Sequence, residues 1–240
     1  MSTSRIFQPS DYAFEPHPAA PEYIHAADFL VTVSRRLAGG IAKTIDNRSL
    51  ADLPYEADEF VYLVDGQWTL RWNASQATTF GGDLAVVEKG FIGSTTGFFY
   101  CLYVEVPQLN AGPWLGNASF RRFGKDEIPF QKQPSARSEV FPLLTQGVDA
   151  NFSVTLLRGD AVAARSPHGI ESVTYVARGA VHLAAFTTDL DVQDNELLQR
   201  ELRFEGNDSG MAKQGAVIYV GADDNLEVKG NGLLVHLALA

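Results

Sequence analysis

The sequence predicts an all-β chain in which one barrel-forming unit is built twice. Three observations carry this. Apolar, β-branched and aromatic runs of strand length recur along the chain, separated by turn signals about every 8–12 residues. The separators are rich in Gly, Asp and Pro. Glu59 to Leu70 also reappears at a constant offset as Ser172 to Leu183, with Tyr175 on Tyr62, Gly179 on Gly66 and Leu183 on Leu70. Similarity within one chain means one supersecondary unit used twice.

Composition narrows the function classes. At 240 residues the chain holds one large β domain or two smaller ones. With 45% hydrophobic and 20% charged residues it is an ordinary globular chain, long enough to bury a core. A net charge of -10, with no basic run, argues against a nucleic-acid partner, because phosphate binding rests on clustered Lys and Arg. Cys101, the single cysteine, cannot close an internal disulfide. It reads as a small buried hydrophobe, and nothing calls for an oxidising compartment. Met1 to Pro21 is polar and proline-dotted, without the apolar core of a signal peptide. No stretch approaches the roughly 18 apolar residues of a membrane helix. The expectation is a cytoplasmic protein that engages neither nucleic acid nor membrane.

Residues 1–22 read as an arm, since Pro9, Pro16, Pro18 and Pro21 exclude helix interiors and central strands. A first barrel is expected over 23–107. In it, Ala26 to Leu37 reads as a strand ending at Gly39-Gly40, and Ile41 to Ile45 as a second. Leu53 to Leu70 is the centre: an extended piece, a corner, a strand opened by Glu59, a turn at Asp65-Gly66 and a returning strand. Asp-Gly between apolar and β-branched residues is a strong hairpin signal. Trp68, Leu70 and Trp72 share one face by the period of two. Leu84 to Val87 is a strand, Lys89-Gly90 a turn, and Phe98 to Val106 a long apolar strand. Residues 108–142, punctuated by Pro113, Pro129, Pro134 and Pro142, form a crossover. The second barrel, 143–240, contains strands at Val154 to Arg158 and Ala161 to Ala164 and then the repeated hairpin. Gln214 to Val220 matches Gly81 to Val87, and Gly232 to Leu239 matches Phe98 to Val106. The offset grows between these blocks, so a charged insertion near Thr188 to Asp208 forms a hairpin extension or a short helix.

A strand opening on Glu59 and reaching Gly66, followed by Gly82 and then Glu88-Lys89-Gly90, resembles the two motifs of the cupin superfamily. Asn47 takes the leading glycine position. The run Tyr55 to Gly66, followed by Val87 to Gly93, is similar to the cupin subfamily that includes ethanolamine-utilisation and ureidoglycine aminohydrolase-type cupins. The resemblance implies a bicupin: two tandem jelly-roll-like barrels of the double-stranded β-helix type. It also implies a metal site of three His and one Glu facing into a barrel, a donor set suited to Mn, Fe, Zn or Ni. In the first half those histidine positions hold Leu53, Tyr55 and Gly93, and only Glu59 remains. No metal is therefore expected in the first barrel, and no cofactor is called for overall. In the second half the matched positions are Ser166, His168, Ser172 and Leu226, with Glu171 one residue out of register. A divalent metal there would need His168, Glu171, His182 and His236 to converge; the alternative is that each histidine is hydrogen-bonded or at the surface.

Strand alternation places Tyr55 and Glu59 at the mouth of the first barrel, with Trp68, Lys89 and Tyr103 as further lining candidates. A carboxylate ringed by aromatics is desolvated, which raises its pKa and suits it to proton transfer. Alternatively, Lys89 pairs with Glu59 to orient a polar ligand, or Glu59 satisfies backbone donors at the corner. Three functions follow. One is a binding protein for a small metabolite in a metal-free pocket. Another is a hydrolase or isomerase of a small polar metabolite with Glu59 as acid/base. The third is a packing module in which an apolar edge strand pairs across a homodimer.

Overall fold

A computed structural model describes residues 4–46, 50–106, 118–128, 130–131, 141–144, 149–158, 170–191, 196–202, 210–222 and 224–239. Of these, 50–54, 130–131, 141–144, 149, 184–191, 196–202 and 225–227 are described by their backbone alone. Asn47, Ser166, His168, the strand expected at Ala161 to Ala164 and much of the crossover lie outside the described residues. By its internal contacts the chain divides into two compact units. One comprises Tyr12–Ile128; the other gathers the first residues through Asp11 with most of the chain beyond Ile128.

The strands up to Phe123 are β1 (Arg5–Phe7), β2 (Glu15–Pro16), β3 (Ile24–Asp28), β4 (Ala38–Thr44), β5 (Leu50–Pro54), β6 (Asp58–Trp72), β7 (Ser75–Phe80), β8 (Leu84–Val87), β9 (Ile92–Thr96), β10 (Phe99–Val106) and β11 (Phe120–Phe123). In the first unit they run in the order β11-β8-β6-β10-β4-β3-β2. Strand β6 organises them. Its first half pairs with β8 and β10, and its second half, Gln67 to Trp72, pairs with β7 and β9.

The expected turn at Asp65-Gly66 is instead a bend inside one continuous strand. The β6–β10 register shifts between Tyr100 and Cys101, a bulge opposite this point. Gly66 has φ +83°, and a Cβ there would collide with the Phe98 carbonyl oxygen. Asp-Gly supplies the left-handed conformation that a bulge needs as readily as one that a tight turn needs. The hairpin turn itself is Asn73-Ala74, joining Trp72 to Ser75, with Asn73 at φ 50°. A second correction concerns Ala26 to Leu37. The strand there ends at Asp28, and a single 3-10 turn, Leu30–Thr32, follows. Pro16 does enter a strand, at the open edge where a missing N–H is tolerated.

Alternation along these strands sets the inner face. Val61, Leu63, Ala85, Val87, Cys101 and Tyr103 pack with Trp68, Leu70 and Phe91 into one buried cluster. The alternate residues Phe60, Tyr62, Val86, Leu102 and Val104 are buried as well.

The remaining strands are β12 (Phe130–Gln131), β13 (Phe141–Leu144), β14 (Asp149–Leu157), β15 (Glu171–Asp191), β16 (Glu196–Leu202), β17 (Met211–Lys213), β18 (Val217–Val220) and β19 (Asp224–Leu239). They build the second unit in the order β1-β18-β15-β19-β14-β12. The duplication is visible in the register. Strand β15 shifts between Val176 and Arg178, and Gly179, at φ +84°, repeats the Gly66 bend against the Asn231 carbonyl. The insertion forms a hairpin extension, with β16 pairing the end of β15 from Ala185 to Asp191. Residues expected to be a free arm also belong here: Arg5–Phe7 pairs with β18, and Ile6 enters the core with Val176, Ile218 and Leu234. Among the described residues no helix is long and apolar enough to cross a membrane.

Candidate functional site

The first unit carries a partly open cavity of about 760 Å³. Strands β6 and β10 supply its charged wall. Glu59 and Glu105 are register partners, as are Val61 and Tyr103, then Leu63 and Cys101. Two residues directly opposite on antiparallel strands share a face, so the two carboxyl groups lie on the same side of the sheet. Tyr55 reaches the cavity from the corner before β6. Its backbone is clamped on both sides: its N–H donates to the Phe91 carbonyl at 2.9 Å, and its carbonyl accepts from Gly90 N–H at 2.7 Å. Trp68 closes the apolar side, tilted against Phe99 and edge-on to Phe120, with its indole N–H donating to Thr95 Oγ1.

The electrostatics follow from burial. Burial, reinforced by the nearby Glu105 carboxylate, pushes Glu59 up to about 8. Glu105 is raised too, by burial and then by Asp28 and Glu56. Burial and the Glu59 charge hold the Tyr55 phenol well above its ordinary value, and the same pair of causes raises the Cys101 thiol. Among the described residues neither the Glu59 nor the Glu105 carboxyl has a hydrogen-bond partner or counter-ion. Tyr103 is only 5% exposed, and its hydroxyl likewise finds no partner there. A buried polar atom left unpaired costs on the order of 1–3 kcal/mol, so the Tyr103 hydroxyl, beside two half-buried carboxyl groups, marks a group awaiting something polar.

Tyr55 and Glu59, which alternation placed together, and the further candidates Trp68 and Tyr103 all line the cavity. Lys89 does not join them. It lies in the turn after β8, where its backbone N–H donates to Asp58 Oδ1 at 2.8 Å, and it is not among the cavity-lining residues. Neither reading of a Glu59–Lys89 pair nor of Glu59 serving backbone donors at the corner holds; Asp58 takes the corner donor. Sequence reasoning missed Glu105, Asp28 and His17, all of which reach the cavity. Glu105 had a signal: it is the one charge within the apolar Phe98 to Val106 run, on the same parity as Cys101 and Tyr103.

In the second unit the inner-face partners are Ser172 with Ala238, Thr174 with His236, and Val176 with Leu234. His236 Nδ1 shares a 2.7 Å hydrogen bond with Thr174 Oγ1, and burial lowers its pKa to about 4. Glu171 sits on the opposite parity to Thr174 with no bulge between them, so it faces the other side of the strand. His182 is exposed, between Val181 and Leu183 that point into the core. The structure thus does not bring Glu171, His182 and His236 onto one face, and His168 lies outside the described residues.

The backbone matches known structures. Protein Ylba from E. coli, of the family DUF861, superposes with a TM-score of 0.63 at 14% identity, over 100% of this chain and 91% of its own. The Lactobacillus farciminis oxalate decarboxylase formate complex gives 0.63 at 11% identity, over 100% of this chain and 86% of that one. A cupin 2 conserved barrel domain protein from Leptotrichia buccalis gives 0.59 at 8% identity, over 100% and 98%. The fold is that of the cupins. No family model matches the sequence, and neither does any curated protein.

Cupin barrels imply a metal, and the residues here can be tested against one. Leu53 and Gly93 are register partners beside Tyr55, so the three positions of the cupin imidazoles hold an alkyl chain, a phenol and no side chain. His17 brings one imidazole to the cavity, but its Nδ1 accepts the Ala19 N–H at 3.3 Å. Among the described residues no group of three or more His, Cys, Asp and Glu is placed to hold an ion. The donor set does not fit the three-His, one-Glu site.

Proposed function

We propose that the cavity of the first barrel binds a small organic metabolite without a metal. The observation that carries this reading is a partly open cavity of about 760 Å³ walled by aromatic and aliphatic groups, which Glu59, Glu105 and Tyr103, with its unpartnered hydroxyl, also line. Small-molecule sites have this character: mostly apolar, of a few hundred cubic ångströms, with sparse polar groups that fix orientation. The replacement of imidazoles by Leu53, Tyr55 and Gly93 supports a site that works through shape and hydrogen bonding. Elemental analysis of protein purified without chelator tests it. Substoichiometric Mn, Fe, Ni and Zn is expected, and one ion per chain held by Glu59 would overturn the metal-free reading.

A second reading has its own observation. A carboxyl held near 8 is largely protonated at neutral pH yet ionises within about one pH unit of it, which suits it first to donating a proton and then to taking one back. With the Tyr55 phenol beside it, Glu59 would serve as acid/base in a hydrolase or isomerase of a small polar metabolite. The solved oxalate decarboxylase is an enzyme on the same fold, although fold alone does not carry function. The finer resemblance to ureidoglycine aminohydrolase-type and ethanolamine-utilisation cupins suggests the assay. Ureidoglycine turnover should fall by about a hundredfold or more in Glu59→Gln if this mechanism operates; unchanged turnover in the variant rejects it.

A further inference from the structure

We infer that the first-barrel cavity is selective for an organic cation, a small amine whose ammonium group sits between Glu59 and Glu105 and whose apolar body lies against Trp68 and Phe99. This rests on the reading of the cavity as a small-molecule site and adds the charge of the occupant.

The argument starts from what lines the space. Asp28, Glu56, Glu59 and Glu105 contribute carboxyl groups, and among the described residues no Lys or Arg lines the cavity. The chain keeps two carboxyl groups face to face on β6 and β10, an arrangement that is destabilising unless something neutralises it. The Tyr103 hydroxyl, on the same side of β10 and 5% exposed, has no partner within the described residues. It can accept a hydrogen bond from an ammonium N–H while one carboxylate of the pair balances the charge and the other carboxyl, still protonated, shares the site. Trp68 and Phe99 line the same cavity, and cations are drawn to aromatic rings. A bare metal ion uses neither the rings nor the volume. An anionic ligand would meet four carboxyl groups and, among the described lining residues, no basic side chain other than His17.

Binding carries a proton signature. The groups facing Glu59 are Glu105, Cys101 and Tyr103 from β10, Tyr55 and Glu56 from the preceding corner, Asp28 from β3, and His17 from the segment after β2. His17 is the single base among them. Glu59, held at about 8, is largely protonated at neutral pH, so an ammonium that needs its carboxylate expels that proton to solvent. The amine remains protonated, and one proton is released for each Glu59 that ionises. Affinity for the cation rises as the pH is raised from 6 towards 8.

The test uses three probes of one shape by isothermal titration calorimetry: phenethylamine, 2-phenylethanol and phenylacetate. Expected are binding of the amine at least about tenfold tighter than the alcohol, no binding of the acid, and proton release seen as a buffer-dependent heat. In the Glu59→Gln/Glu105→Gln variant the preference for the amine disappears while the alcohol still binds, which also shows that the variant is folded. Equal binding of amine and alcohol overturns the charge inference and leaves the small-molecule reading standing. Tighter binding of phenylacetate does the same. Failure of all three probes at millimolar concentration, on folded protein, overturns both. Competition of Mg²⁺ or Ca²⁺ for the site with no amine binding replaces an organic cation by an inorganic one and rejects the inference.

Discussion

Glu59 is held in the state that water would not choose. Its folded pKa lies above its ordinary value, so the folded chain binds a proton that the unfolded chain releases. Stability from this group is full below the unfolded value and is lost as pH rises through about 8. Glu59→Gln should therefore flatten the fall in stability between pH 5 and 8 and be the more stable protein at pH 8, on the order of 1–3 kcal/mol. Urea unfolding across that range checks it; an unchanged slope means that Glu59 is not the protonated partner. His236 works the other way. Its folded value is depressed to about 4, so its contribution is full above the unfolded value and is lost as pH falls through 4. Tyr103→Phe removes a hydroxyl that has no described partner. Folding stability should be unchanged or rise by up to about 1–2 kcal/mol while amine affinity falls. A large loss of stability would mean that the hydroxyl is satisfied in the folded protein.

At the level of elements, the bend in β6 decides where the site lies. Gly66 lets one strand leave the β8–β10 side and pair with β7 and β9, which carries Trp68 over the cavity opened by Glu59 and Val61. Gly66→Ala should cost at least about 2 kcal/mol, because it adds both a left-handed alanine and a collision with the Phe98 carbonyl. Gly179→Ala should behave alike in the second barrel. Gly81→Ala is the control: its nearest neighbours begin at 3.4 Å and its φ is ordinary, so a loss within about 1 kcal/mol is expected. Chemical denaturation of the three variants compares them directly. The bulge was hidden in the sequence for a physical reason. Asp65-Gly66 advertises a left-handed residue, and a tight turn and a bulge use the same conformation. Only the strands that flank it, β8 and β10, determine which one forms.

On the scale of the molecule, duplication produced two barrels with different interiors. Equivalent inner-face pairs are Glu59 with Glu105 and Ser172 with Ala238, then Val61 with Tyr103 and Thr174 with His236. One frame thus carries a paired acid in the first copy and a small polar pair with a bonded histidine in the second. The chain's beginning completes its end. Ile6 is 3% exposed in the second barrel's core, Ser4 Oγ donates to Asp224 at 2.5 Å, and Gln8 Nε2 donates to the Met211 carbonyl at 2.7 Å. Ile6→Ala should cost about 2–4 kcal/mol, the usual loss for a buried aliphatic. A value near zero by urea unfolding would mean that these residues are a dispensable arm.

The period of two, the turn residues and the internal repeat determined an all-β chain built twice, because those signals act over a few residues and survive without tertiary context. They also placed Tyr55 and Glu59 together, since parity along a strand is local, and offered Trp68 and Tyr103 as further candidates. The partnership of Glu59 with Glu105, the exclusion of Lys89 from the cavity and the separation of Glu171 and His182 from His236 were decided by the folded structure. Each depends on register between strands far apart in the chain, or on a bulge that flips parity, and a one-residue slip moves every side chain to the other face.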